Sequence, residues 1–409
     1  MKTLHYRLYF AFLLIFFLAL ATRVFAQEPS DETVVRCGVG KIVPHLNKVK
    51  PQNRILTIDD TSIYEISVVF HVIHSGEAVG TGTNIPESRI KTQIRILNED
   101  YRRKKNTRGY NTHPQGADAN ITFKLAEKDP SGTPSTGIVR VQGNKTLWNL
   151  SDQYELKNLS RWPSNKYLNI WICNLDTYLG YSSFPVSSTL DGLPFNSDSL
   201  TDGVIINYKY VGESPLSSKY NYGRTATHEV GHYLGLVHIW GQNTEDCSDT
   251  DYCNDTPTSK GPNYDCKNAY NTCPDLAGND MTENYLNYSN DACMNTFTNE
   301  QVGRMRTVLQ SSPRRQLIRT VLPPEKPAAI PAVLSIYPNP CTQDLLTISN
   351  ITEKTNLLIV NSLGQKIMEK TVEPNIAKKA ELKLSPSMQS GHYFVKINGK
   401  TFPLLLINP

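Results

Sequence analysis

The chain has 409 residues and a net charge of +4, from 42 basic and 38 acidic side chains. That length allows more than one domain, and so mild a charge balance argues against a nucleic-acid-binding protein. Residues 1–26 begin with Lys2 and Arg7, continue as the apolar run LYFAFLLIFFLAL, and end near the small residues Val24 and Ala26. The run is short for a membrane span, so we predict a secretory signal peptide and no membrane span in the mature chain.

Polar residues without sustained periodicity follow at 27–60 and include the stretch RCGVG around Cys37. The β-branched run Tyr64–His74 is apolar on both faces and predicts a buried strand. Apolar residues at helical spacing predict a helix at Pro86–Lys105. Further strands are predicted for ITFKLAE, GIVRVQG, YLNIWICNL and GVIINYKYVG.

The amino-acid composition and periodicity change twice in the second half of the chain. Gln242–Asn295 is rich in Asp, Asn, Cys, Thr and Pro, so cross-links or bound ions are expected to order it. The stretch FTNEQVGRMRTVLQ restores a helical pattern, and residues 323–333 form a proline-rich linker. Short alternating strands at 334–409 predict a small β-sandwich.

Three of the nine histidines lie within GRTATHEVGHYLGLVH. His228 and His232 are four residues apart and share one face of a helix, which suits two ligands of one metal ion. Ten residues of continuous helix would carry His238 about 15 Å away, but Gly235 can adopt a positive φ and end the helix. The spacing therefore predicts three imidazole ligands for Zn²⁺, with the fourth position open to water.

Glu229 follows the first histidine and is predicted to lie beside that water. A carboxylate there can accept the proton of the water as general base and later protonate the leaving amine. Peptide-bond hydrolysis is the natural reaction for this set of groups. The alternative, histidines that only cap or pack a core helix, fits a lone histidine better than three with Glu229 and Gly235.

The motif HEVGHYLGLVH resembles that of the metzincins, and its surroundings resemble the pappalysin family, especially its cytophagalysin-like and ulilysin-like members. The matching stretches are YLNIWICNL, GYSSFP, DGVIINYKYVG, GRTATHEVGHYLGLVHIW, DTP and NYLNYSNDACMNTFTNEQVGRM. The resemblance implies an α/β (α+β) metallopeptidase domain at 61–322. Its mixed twisted sheet would be backed by the Pro86–Lys105 helix, with the zinc helix over an irregular, disulfide-linked lower part. We expect YLNIWICNL and GYSSFP to form the rim that holds an extended substrate.

The resemblance also implies roles for single residues. Tyr288 falls at the tyrosine that supports the oxyanion intermediate in this family. Leu286 replaces the family's methionine beneath the metal, where an isosteric leucine is expected to be tolerated. RCGVG resembles the latency cysteine of family pro-segments, so Cys37 is expected to bind Zn²⁺ until the segment is cut away. The alternative is a disulfide from Cys37 to Cys341 or Cys173.

Eight cysteines in an exported chain favour disulfides, although their spacing does not reveal the pairs. The resemblance implies two disulfides, Cys247 with Cys273 and Cys266 with Cys293. Cys253 and Cys173 then remain; a bond between them is one option, and the sequence leaves the pairing of Cys173, Cys253 and Cys341 open. Hard oxygen ligands for Ca²⁺ are available in EDCSDTDYCNDTP; they are Asp246, Asp249, Asp251, Asp255 and Thr256. The alternative is that this acidic loop is only solvated.

Asp291 could supply negative charge to a pocket for the basic residue after the scissile bond, or could be a turn residue. Residues 334–409 resemble the sorting domain of the type IX secretion route, which implies secretion machinery as a partner and an extracellular or cell-surface location. An accessory β-domain that binds surfaces or carbohydrate is the alternative. The sequence thus predicts a secreted, latent zinc endopeptidase acting on proteins or peptides. Its rival is a non-catalytic binding or adhesion protein on the same scaffold.

Overall fold

A computed structural model describes residues 34–39, 61–187, 189–194, 197–217, 219–242, 244–267, 269–324 and 334–407. The chain divides into two compact units, Met1–Pro324 and Glu325–Pro409. The predicted signal peptide, most of the predicted pro-segment and nearly all of the linker lie outside the described residues.

The first unit is built on an eight-stranded mixed sheet. Its strands are β1 (Val35–Cys37), β2 (Ile63–His74), β3 (Ile121–Leu125), β4 (Ile138–Gln142), β5 (Leu168–Cys173), β6 (Tyr178–Ser182), β7 (Val204–Asn207) and β8 (Arg319–Leu322). The main path runs β1-β6-β7-β5-β2-β3, and β4 and β8 also pair with β2. Strands β1 and β6, β5 and β7, and β2 with β3, β4 and β5 are parallel, whereas β6–β7 and β2–β8 are antiparallel.

Strand β5 lies in the interior of this sheet, between β2 and β7. All six of its residues, LNIWIC, are buried. The prediction that YLNIWICNL forms the cleft rim is therefore wrong. Apolar and β-branched residues on both faces favour an interior strand, and β6, from the stretch GYSSFP, is the strand near the edge.

Five α-helices accompany the sheet among the described residues of the first unit. They are α1 (Glu87–Tyr101), α2 (Gln153–Asn158), α3 (Arg224–Tyr233), α4 (Asn299–Ser311) and α5 (Arg315–Ile318). The predicted backing helix is α1, and the predicted zinc helix is α3. The two helices are joined directly, because the Tyr101 hydroxyl donates to the carbonyl of Thr227 at 3.0 Å and Gln93 Nε2 donates to that of Gly223 at 3.0 Å.

The lower segment, residues 242–295, contains no helix or strand in its described part. Two disulfides cross-link it, Cys247–Cys273 and Cys266–Cys293, which are the pairs that the resemblance implies. The bond considered between Cys173 and Cys253 does not form, because both are free cysteines. Cys173 belongs to the interior strand β5 and is packed in the main core, away from the lower segment's cross-links.

The second unit consists of two antiparallel sheets. One contains β9 (Ser335–Tyr337), β10 (Leu345–Ser349) and β13 (Lys379–Lys383); the other contains β11 (Thr355–Asn361), β12 (Lys366–Val372), β14 (Gly391–Ile397) and β15 (Lys400–Leu406). A single buried cluster takes Ile348 and Leu382 from the first sheet and Ile359 and Val395 from the second. The predicted small β-sandwich is confirmed.

Candidate active site

Helix α3 and the turn after it bring the three predicted histidines together. His228 and His232 are fully buried, and their Nε2 atoms are 3.1 Å apart. The helix ends at Tyr233, and Gly235 adopts a φ of 92°, as predicted. The chain then turns back, so that His238 Nε2 lies 3.2 Å from His232 Nε2.

Two of these rings are held in place by hydrogen bonds from their other nitrogen, Nδ1, to backbone carbonyls. His228 Nδ1 donates to Tyr285 O at 2.7 Å, and His232 Nδ1 donates to Leu236 O at 2.8 Å. A proton on Nδ1 leaves Nε2 of each neutral ring with a lone pair. Burial lowers the pKa of His232 to about 4 and moves the pKa values of His228 and His238 well below the ordinary value, which favours the neutral form.

These lone pairs fit a metal ion. Two ligands bound 2.0–2.1 Å from a tetrahedral zinc ion would be about 3.3 Å apart, close to the observed Nε2 separations. Cys37 completes a group in which one donor atom from each of the four residues lies within 4.8 Å of the others. Three imidazoles and a thiolate are a ligand set that suits zinc. No further group of this kind occurs in the described ranges.

Glu229 lies directly beside this cluster. It is fully buried, and neither carboxylate oxygen has a hydrogen bond of normal geometry. Burial raises its pKa to about 8, although the Cys37 thiol and the Arg36 guanidinium act to lower it. A buried carboxylate of raised pKa is suited to take and return a proton near neutral pH.

Strand β6 leaves room for Glu229 because residue 180 is glycine. A Cβ on Gly180 would lie 2.7 Å from Glu229 Cγ, closer than real contacts allow. The sequence analysis missed this residue. A glycine inside a strand is the signal that could have found it, because it often marks a close approach.

Tyr288 and Leu286 complete the surroundings of the cluster. The Tyr288 ring packs edge-on against His238 at 5.1 Å between centroids, and its hydroxyl donates to the carbonyl of Cys37 at 3.4 Å. Leu286 is fully buried beneath α3, where a Cβ on Gly231 would lie 3.2 Å from Leu286 Cδ2. Leucine therefore fills the position at which the family has methionine.

The described part of the predicted pro-segment extends the sheet at β6. Strand β1 pairs in parallel with β6, with Cys37 opposite Gly180. Gly38 N donates to Gly180 O at 3.0 Å, and Val35 N donates to Thr177 O at 2.9 Å. This segment places the buried Cys37 thiol at the histidines and covers Glu229.

Asp291 lies in the same interior and binds Arg36. The two charged atoms are 2.8 Å apart and both side chains are fully buried. Asp291 also accepts hydrogen bonds from the backbone N–H groups of Tyr222 and Arg224, at 3.0 Å each. The carboxylate thus caps backbone N–H groups at the start of α3, which suits a turn residue, and holds a guanidinium, which suits a pocket for a basic residue.

The predicted calcium ligands are dispersed. Asp249 accepts from the backbone of Gln242 at 2.9 Å, and Asp255 accepts from that of Glu300 at 2.9 Å. Asp251 accepts from Thr256 Oγ1 at 2.8 Å, and burial raises its pKa to about 7. One oxygen each of Asp251 and Asp255 is buried without a hydrogen-bond partner. The acidic residues of this loop do not converge as the histidines do.

Comparison with known proteins decides the family. Residues 152–310 match the M43 peptidase family, described as pregnancy-associated plasma protein-A. An extracellular metalloprotease of Arthroderma otae is 31% identical over 264 residues, 62% of this chain and 81% of the relative. The chain belongs to the pappalysin family of metallopeptidases. An extracellular metalloprotease of Colletotrichum graminicola is 33% identical over 244 residues, 59% of this chain and 75% of that protein.

Solved structures of this family also match the chain. Mature mirolysin of Tannerella forsythia, in complex with a cleaved peptide, is 40% identical with a TM-score of 0.56. The match covers 63% of this chain and 96% of mirolysin. A promirolysin mutant from the same organism is 38% identical with a TM-score of 0.57, covering 63% of this chain and 85% of that one.

Residues 335–403 match the secretion system C-terminal sorting domain. Together with the extracellular relatives, this match shows that this pappalysin is a secreted or cell-surface metallopeptidase. Among the described residues, no helix has the length and apolar character required to cross a membrane.

Proposed function

We propose that the chain is a zinc endopeptidase in which His228, His232 and His238 hold the metal and Glu229 is the general base. One observation carries this proposal: the Nε2 atoms of three buried imidazoles converge beside a buried carboxylate that has no hydrogen bond of normal geometry. A non-catalytic scaffold would have no need for that carboxylate. A buried acidic group without a hydrogen-bond partner lowers the stability of the fold. Its presence here is therefore explained better by a catalytic function than by packing.

Bound zinc would supply a Lewis acid that acidifies water and polarises a carbonyl. Glu229 accepts a proton from the attacking water and later donates it to the nitrogen of the leaving amine. The Tyr288 hydroxyl, which now donates to the backbone of Cys37, is free after removal of the pro-segment to donate to the carbonyl oxygen of a substrate.

The test uses purified protein lacking residues 1–60, assayed on casein or a peptide library. We expect cleavage that a zinc chelator abolishes and that added zinc restores. A chain that binds zinc at these histidines but cleaves no peptide would instead support a binding or adhesion protein.

We further propose that the segment around Cys37 keeps the enzyme latent, with domains at 1–26 (signal), 27–60 (pro-segment), 61–322 (peptidase), 323–333 (linker) and 334–409 (sorting domain). Two contacts support this. The Cys37 thiol lies within the histidine group, and the buried pair of Arg36 and Asp291 anchors the residue next to it. Removing one partner of such a buried pair leaves an uncompensated charge.

Latency is tested with Cys37→Ala in the full chain, which should give premature activity or self-digestion during expression. Arg36→Ala should weaken latency as well, while Leu363→Ala, at a side chain that is 81% exposed in the second unit, serves as the control. A stable, inactive zymogen in the Cys37→Ala protein would contradict the latency proposal.

Calcium remains a separate proposal, centred on Asp251 and Asp255, whose buried oxygens lack partners. Burial raises the pKa of Asp251 and the nearby Asp255 carboxylate adds to that rise, so a hard cation bound there would neutralise both carboxylates. Thermal melting with and without a calcium chelator, with zinc kept saturating, is the test. An unchanged melting temperature would contradict the calcium proposal.

A further inference from the structure

A second recognition surface lies in front of the metal ligands. Aromatic and apolar side chains surround a cavity of about 360 Å³ that also reaches His232 and His238. We name it the aromatic groove; its walls are Phe184, Val237, Trp240, Tyr264 and Tyr288. Its mostly apolar walls next to a few polar groups are typical of a ligand site.

Two walls of the groove, Trp240 and Phe184, are held against the histidines, and a third, Tyr264, is exposed. Trp240 stacks on His238 with centroids 4.5 Å apart, and Phe184 packs edge-on against His232 at 5.4 Å. Tyr264 is 59% exposed at the rim, with its ring 6.1 Å from that of Tyr288. An aromatic side chain held at a rim and left open to solvent is poised to contact a ligand rather than the core.

The aromatic groove is covalently connected to the site where Asp291 binds the Arg36 guanidinium, which we name the Asp291 pocket. Tyr264 lies two residues before Cys266, and Asp291 lies two residues before Cys293. These two cysteines form a disulfide. The exposed ring and the guanidinium-binding carboxylate therefore belong to one cross-linked piece of the lower segment.

The bound pro-segment shows how an extended peptide meets both surfaces. Val35, Cys37 and Val39 line the aromatic groove, whereas Arg36 points away from it to Asp291. Val39 is 4% exposed although its segment lies at the cleft. Successive side chains of an extended strand point to opposite faces whichever way the chain runs, as Val35, Arg36 and Cys37 do within β1, and Val39, beyond the end of the strand, lines the groove as well. Residues one or three positions from the basic residue thus face the groove, and residues two positions away do not.

We propose that the aromatic groove is a subsite for an aliphatic or aromatic side chain of the peptide substrate. The enzyme then recognises a basic residue in the Asp291 pocket together with an apolar residue at odd separation from it. This inference rests on the proposed endopeptidase function and deepens it by naming a substrate class.

The experiment uses the full-length chain after limited trypsin treatment has removed the pro-segment and trypsin has been inhibited. Two sets of fluorogenic peptides share one composition, with a single arginine, a single leucine and small polar residues elsewhere. In one set leucine lies one or three residues from arginine, and in the other it lies two residues away. We expect kcat/KM to be about 10- to 100-fold higher for odd separation, the range that apolar pockets give.

Three tyrosine variants test whether the aromatic groove causes the preference for an odd separation of leucine and arginine. Tyr264→Ala should reduce the odd-to-even ratio several-fold, mainly through KM, and Tyr264→Phe should keep it because the ring is retained. Tyr154→Ala is the matched control, since Tyr154 is 56% exposed on α2 and is absent from the groove lining.

Equal cleavage of both peptide sets, or an unchanged ratio in Tyr264→Ala, would overturn the subsite while leaving the endopeptidase intact. Absence of any cleavage by the zinc-loaded, activated chain would overturn the proposed function and the subsite with it.

Discussion

The two walls of the cleft are built in different ways. The upper wall consists of β6 and α3, whose regular backbone hydrogen bonds set the positions of Gly180, Glu229 and two of the histidines. The lower wall is the segment 242–295, without helix or strand in its described part, yet it carries Tyr264, Tyr288 and Asp291. The proposed general base thus lies on the regular wall, whereas the irregular wall carries Tyr288 and two residues proposed for recognition, Tyr264 and Asp291.

Side chains replace secondary structure in the lower wall. Asn287 Nδ2 donates to Asn263 Oδ1 at 2.7 Å, and Asn263 Nδ2 donates to Asp280 Oδ2 at 2.9 Å. Thr272 Oγ1 donates to the same carboxylate. Such local bonds satisfy polar groups that a sheet or helix would otherwise satisfy, and the disulfides lower the entropy of the unfolded segment.

The largest effect is expected from Gly180→Ala, which tests whether the regular upper wall positions Glu229. The new Cβ would collide with Glu229 Cγ, so either the carboxylate or β6 must move. We expect kcat to fall about 100-fold, because a displacement near 1 Å can cost that much. The stability cost should stay at about 1–3 kcal/mol. Steady-state kinetics and denaturant unfolding measure the two effects.

Gly391→Ala is the control for that substitution. Gly391 begins a strand of the second unit, and its Cβ would meet only an ordinary contact, 3.9 Å from Tyr393 Cε2. Full activity in Gly180→Ala would show that the close approach of strand and carboxylate does not position the base.

The lower wall is tested by removing its disulfides one at a time. Cys266→Ser with Cys293→Ser should cost about 3 kcal/mol of unfolding free energy, as expected for a loop of this length. The Cys247–Cys273 disulfide closes a loop of similar length, so its removal by Cys247→Ser with Cys273→Ser should cost about as much.

Only the first pair joins the loops of Tyr264 and Asp291, so only its loss should raise KM for peptides containing arginine. Equal changes in KM for both double variants would show that cross-linking acts on stability alone. Peptide kinetics at a temperature where both variants are folded separate these results.

The sequence predicted the upper wall better than the lower one. His228, His232 and Gly235 are close in the chain, so helical spacing and one backbone rule placed them. Arg36 and Asp291 are 255 residues apart, and no local pattern indicates that they meet. Gly180 contacts Glu229 only because two elements far apart in the chain pack together. The wrong prediction of a rim position for YLNIWICNL and the absence of a Cys173–Cys253 bond have the same origin, since both depend on tertiary packing.

The smallest expected effect concerns Leu286, which lies under the zinc helix. Leu286→Met restores the family's residue with a nearly unchanged volume, so the unfolding free energy should change by less than about 1.5 kcal/mol. We also expect kcat/KM to change less than threefold, since the side chain contacts Gly231 rather than the reacting groups. A large gain in activity would show that methionine has a role beyond packing.

The most direct test of the central claim is Glu229→Gln in the activated enzyme, with zinc content and peptide hydrolysis measured on the same sample. The amide keeps the shape of the side chain but cannot accept a proton. We predict one zinc ion per chain, as in the unaltered enzyme, and a kcat at least about 100-fold lower. Hydrolysis at a rate near that of the unaltered enzyme would contradict the assignment of Glu229 as general base.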